Sequence, residues 1–146
     1  MPDKKLTILV YTVILLLLGH DFDHFVRGDF GWQLTARSAP VLAILLTQYA
    51  ILGFGLYFYL KNKLSPLFWA FVAGIGVVVG WLAHFSPFSV QTPQAIYRAY
   101  ATPAAGALAV LVLALLMLTL IATALYAQYV WARGPRRAEA KTAGGP

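Results

Sequence analysis

The stretch LLLLGHDFDHFVRGD, Leu15 to Asp29, decides how the chain is read. Pure hydrocarbon passes within one step into two imidazoles and two carboxylates. If the helix stopped at Gly19, its apolar part from Leu6 would be fourteen residues, roughly 21 Å long. The hydrocarbon core of a bilayer is about 30 Å thick. A membrane-crossing helix must therefore continue through His20 and His24 to about Val26. That places HDFDH inside the outer part of the span rather than beyond it.

The composition supports a membrane setting. The 146 residues are 60% hydrophobic and 11% charged, against about 25% charged in an ordinary soluble domain. There is no cysteine, which excludes disulfides, thiolate metal sites and dithiol redox chemistry. LGHDFDH offers no small-x-small cleavage site, so the first segment reads as a retained span and not as a signal peptide.

Four apolar segments, about 6–26, 40–60, 66–85 and 103–131, reach the length needed to cross a bilayer as helices. Ser65-Pro66, Thr92-Pro93 and Thr102-Pro103 each set a capping hydroxyl before a first-turn proline, and Ser38-Ala39-Pro40 is a looser version. Gly134-Pro135 within RGPRR reads as the stop of the last helix. The expected organisation is a transmembrane domain over 1–132 and a basic, disordered cytoplasmic tail over 133–146. The short turn KNKLS makes a hairpin of the second and third spans. Within TPQAIYRAYATP, residues 93–101 are expected to form a short interfacial helix in the third, outer loop, with Ile96, Tyr97 and Tyr100 towards lipid or bundle. Trp32, Trp69, Trp81 and Trp131 fall where interfacial anchors are expected.

Lysine and arginine set the orientation. Lys4, Lys5, Lys61, Lys63, Arg133, Arg136, Arg137 and Lys141 fall on one side, and Arg27, Arg37 and Arg98 on the other. This asymmetry predicts both termini in the cytoplasm; the expected setting is the plasma (inner) membrane of a prokaryote. The net charge of +6 then belongs to the membrane surface and does not call for nucleic acid. The fold class is thus an all-α integral membrane four-helix bundle.

His20 and His24 are four apart and stack on one helix face, flanked by Asp21 and Asp23. The third histidine, His84 in GWLAHFSP, lies at the outer end of the third span, which this topology brings to the same membrane face. Gly76, Gly80 and His84 share a four-residue spacing. With Gly74, the glycines predict a close-packing surface that turns His84 towards a neighbouring helix.

Three imidazoles with a carboxylate or water suit a divalent ion. His20, His24, His84, Asp23 and Asp21 are the candidate ligands, with either aspartate able instead to orient an imidazole. Zinc or copper ion is the expected metal; haem b is the variant, held between His84 and one histidine of the pair. A second reading makes the cluster an ion-pair network with Arg27, Asp29, Arg37 and Arg98. The chain is then an accessory subunit of a larger membrane complex or a homo-oligomer. A third is proton or ion transport. It needs a continuous polar path, for which Thr47, Gln48, Thr119, Thr123 and Gln128 are thin provision. No phosphate loop, nucleophile elbow or dinucleotide fingerprint is present, so enzymatic activity by the chain alone is not expected.

Overall fold

The computed structural model describes residues 2–29 and 39–143, with the side chains of Val41 and of 135–143 excepted. Ser38, Arg37 and Trp32, named above, lie outside the described residues. The regular structure of the described residues is all helical: α1 Lys4–Val26, α2 Ala39–Leu60, α3 Pro66–His84, α4 Pro93–Arg98 and α5 Pro103–Ala143. Four stretches are long and apolar enough to cross a membrane: Lys4–Val26, Leu42–Leu60, Pro66–His84 and Pro103–Gly134.

Local chemistry fixes the helix ends. Ser65 Oγ accepts from Leu67 N (3.2 Å), Thr92 Oγ1 from Ala95 N (3.2 Å) and Thr102 Oγ1 from Ala105 N (3.3 Å), each just before a proline. Asp3, a cap the sequence reading did not single out, accepts from Leu6 N at 2.9 Å. Its own N–H donates to Tyr59 Oη at 3.1 Å, which ties the start of α1 to the end of α2.

The end of α1 shapes the site. Gly28 adopts φ +78°, Gly28 N donates to Phe25 O, and Asp29 N donates to His24 O, both at 3.0 Å. This Schellman turn needs a residue without a Cβ penalty at the left-handed position. It swings Asp29 back over the last turn of its own helix. Asn62 (φ 56°) closes α2 by the same motif, with Lys63 N on Phe58 O at 2.9 Å.

The long helix α5 is the hub against which α1, α3 and α4 pack. Gly76 lies opposite Leu120 and Gly80 opposite Met117, so the glycine stripe of α3 beds on α5. Gly74 meets nothing within 4 Å and is not part of that surface. Gly106 performs the same service for α4: a Cβ there would run into the Tyr97 carbonyl oxygen. Ile96 of α4 is buried against Ala109 and Leu113, so this residue faces the bundle.

The largest core cluster joins Leu6, Val10, Leu52, Leu56, Tyr59 and Trp69 near the chain termini. Trp69 is 1% exposed and is a core residue rather than an interfacial anchor, because α1 and α2 close over it. Large side chains such as Leu15, Phe22, Phe71, Val78, Leu118 and Leu125 are exposed around the outside, where a bilayer would cover them.

Two further boundaries differ from the sequence reading. α4 ends at Arg98 rather than 101, and α5 continues through Gly134-Pro135 to Ala143. Pro135 removes one backbone donor, but the surrounding Arg, Ala, Glu and Lys are strong helix formers that carry the helix past it.

The glycine contacts generate a paired test. Gly106→Ala pushes a methyl group into backbone and should cost about 1–3 kcal/mol. Gly80→Ala meets only the flexible Met117 thioether and should change stability by less. Thermal unfolding of both variants in detergent or nanodiscs gives the comparison.

Candidate metal centre

His20, His24 and His84 converge, and each is buried (7%, 8% and 4% exposed). Ligand atoms from the three all lie within 4.8 Å of one another. Ring centroids are 4.7 Å apart for His20–His24, 5.0 Å for His20–His84 and 5.8 Å for His24–His84. The pair comes from one helical turn of α1. The third comes from the last residue of α3. The glycine spacing predicts that it faces a neighbouring helix, and His84 meets the α1 pair while the glycines themselves, Gly76 and Gly80, bed on α5.

The outer nitrogens of two rings are already committed. His84 Nδ1 donates to the Gln91 carbonyl oxygen at 2.9 Å. The loop after α3 makes this bond possible by folding back on itself: Ser86 Oγ donates to Leu82 O at 2.8 Å, and Gln91 N to Ser89 Oγ at 3.0 Å. The Nδ1–H tautomer leaves His84 Nε2 as the lone-pair nitrogen.

His24 Nδ1 lies 2.9 Å from Asp29 Oδ2 and 3.1 Å from Arg27 Nη2. Arginine can only donate, so both contacts cannot be hydrogen bonds to one protonation state of Nδ1. The nearer carboxylate assigns the proton to Nδ1, and the guanidinium stands beside the ring as a charge. His24 Nε2 is then an acceptor, 3.2 Å from His20 Nε2.

Arg27 organises the carboxylates. Its Nε donates to Asp23 Oδ2 at 2.9 Å, its Nη1 contacts Asp29 Oδ2 at 2.6 Å, and its Nη2 reaches Gln91 Oε1 at 3.4 Å. The Arg27 side chain is 6% exposed. The second oxygen of Asp23 accepts from Tyr100 Oη. Burial and that carboxylate push the Tyr100 phenol up to about 12, so it stays a donor at neutral pH.

Asp21 points to α2 instead, where Oδ2 accepts from Tyr49 Oη at 2.5 Å and Gln48 Nε2 at 3.4 Å. The two aspartates expected as ligands are thus satisfied elsewhere, and the imidazole-orienting groups are Asp29 and the Gln91 carbonyl. Of the other arginines, Arg98 is exposed and makes no ion pair among the described residues. Arg37 lies outside the described residues.

Sequence reasoning missed Gln91, Tyr49 and the Gly28 turn. Only Gly28 carried a signal, as a glycine directly after an apolar span and before an acid. Two of the polar residues that a transport path would draw on are engaged within α5. Thr119 Oγ1 donates to Leu115 O and Thr123 Oγ1 to Thr119 O, each at 2.7 Å, so both hydroxyls serve their own helix.

The chain is thus defined by four membrane-length apolar helices and a buried three-histidine cluster at one end. No protein-family model matches it, and no curated protein or solved structure is significantly similar to it.

Tyr100→Phe removes one donor from the buried Asp23 carboxylate and should cost about 1.5–3 kcal/mol, as for a hydrogen bond to a charged group. The same change at the exposed Tyr97 should leave the unfolding midpoint where it was.

Proposed function

We propose that His20, His24 and His84 bind a divalent metal ion, with zinc as the first candidate and copper(II) as the second. The observation that carries this reading is three buried imidazoles whose ligand atoms fall within 4.8 Å. A zinc–nitrogen distance of about 2.0–2.1 Å gives a tetrahedral edge of about 3.3 Å. The His20–His24 nitrogens are already at 3.2 Å, and His84 has at most about 1.5 Å to close.

The surroundings favour such an ion. Asp29 on His24 and a backbone carbonyl on His84 are the outer partners that metal-bound histidines commonly use. Local charge points the same way. Among the described residues Asp23 and Asp29 contact one buried cation, Arg27, while Asp21 on the same stretch of α1 is held by Tyr49. These three carboxylates exceed the one cation by two formal negative charges, which a divalent ion would balance. All-nitrogen donors without thiolate suit zinc or copper(II).

Haem is the weaker variant. His20 and His84 meet edge to face, which leaves no slot for a porphyrin between them. Of the ion-pair network of the second reading, the Arg27 and Asp29 part forms, and it supports the metal reading because Asp29 also orients His24. The lysine and arginine distribution favours an orientation with both termini cytoplasmic, which sets the centre at the outer face of the membrane.

Zinc titration of the chelator-treated protein, with elemental analysis, tests the proposal. One ion per chain is expected. His84→Ala should abolish stoichiometric binding, and Asp29→Asn should weaken it about 10–100-fold. Wild-type protein with no bound metal at micromolar zinc would reject it.

A further inference from the structure

Beneath the histidines lies a cavity of about 560 Å³, well within the range of small-molecule sites. Helices α1, α2, α3 and α5 all line it. Its lower wall is hydrocarbon, from Val10, Val13, Leu52, Val72, Leu116 and Leu120. Its upper end is polar, from His20, Asp21, Thr47, Gln48 and His84. Along α1 it runs from Val10 to Asp21, roughly 16 Å, or about half the hydrocarbon thickness of a bilayer. His24, Arg27, Asp23 and Asp29 do not line it. The two faces of the cluster therefore differ: the ion-pair network covers one, and the other looks into a cavity at membrane depth.

We propose that this cavity binds a membrane-dissolved amphiphile with a neutral oxygen headgroup, a quinone or a long-chain alcohol. Its head sits at the His20–His84 end, and its tail lies along the apolar wall. The assignment of the head rests on the metal reading above. A three-histidine set leaves one tetrahedral position for an outside ligand, and His20 and His84 present that position to the cavity.

Charge selects the head. A divalent ion and Arg27 together balance Asp21, Asp23 and Asp29. A carboxylate or phosphate head would add an uncompensated negative charge at membrane depth, which is costly. A carbonyl or hydroxyl oxygen ligates without that cost. A plain acyl chain fills the apolar wall but leaves the polar end unmatched.

Trp69 lines the cavity and can report on it. The test uses the full chain in nanodiscs, zinc-loaded, with Trp32, Trp81 and Trp131 replaced by Phe. A decyl-benzoquinone quenches the remaining tryptophan. Saturable quenching is expected, displaced by 1-dodecanol and not by dodecanoate. If dodecanol fails to compete, the head is specifically a quinone; if it competes, the shared oxygen chemistry suffices.

Ala43→Phe from α2, or Ala83→Leu from α3, should raise the quinone Kd tenfold or more. Zinc stoichiometry should stay unchanged. Quenching that never saturates and ignores both substitutions would show only lipid-filled space and overturn the proposal. Displacement by dodecanoate as strong as by dodecanol would overturn the neutral head. Zinc removal that leaves the Kd unchanged would overturn contact between head and ion, while the elemental analysis would still uphold the metal centre. A chain that takes up no zinc in the elemental analysis yet shows saturable, Ala43-sensitive quenching would reject the metal reading and keep the cavity as a binding site.

Discussion

The arrangement at the histidine end depends on one guanidinium. Arg27 stands between Asp23 and Asp29 with almost no solvent contact. The two carboxylates share this one counter-charge, which offsets the cost of taking them out of water. With it, Asp23 is held for Tyr100 and Asp29 for His24. Arg27 also reaches Gln91, whose backbone carbonyl fixes His84. One side chain thus connects the end of α1 to the loop after α3 and to the residues after α4. The histidines are positioned by the groups this cation gathers, not by their own contacts alone.

A large part of this was legible in the sequence. The length argument at Gly19 carried α1 through His24 because a bilayer demands a minimum helix and backbone groups in lipid must pair within it. The i, i+4 histidines followed from helical geometry, and the arrival of His84 followed from chain direction. The Ser-Pro and Thr-Pro starts were readable because a cap is a local event, decided by two or three adjacent residues.

What stayed hidden is what depends on distance in space. Both Asp21 and Asp23 flank the histidine stripe, and spacing alone made them equal candidates as ligands. Only the placement of Tyr49 on α2 and Tyr100 beyond α4 decides that each carboxylate is already engaged. Asp29 was counted as an ion-pair partner, yet the Gly28 turn also makes it the orienting group of His24. Gly74 and Gly80 look equivalent in sequence, but only one of them falls on the face that meets α5. Trp69 was misplaced for a similar reason. Its distance along the helix suits an interface, while the packing of α1 and α2 over α3 makes it core.

The three histidines do not become available together. His20 and His24 exist as a pair as soon as the first span is helical. His84 joins them only after the third span has been made and α5 has arrived, because α1 and α3 both rest on that last helix. An ion meeting the chain early would find two donors and a weak hold; the third donor comes with the completed bundle. Binding of an ion by this cluster would therefore be coupled to the completed bundle. A bound ion would act as a latch on the finished fold, keeping together first and third spans that α5 otherwise holds side by side.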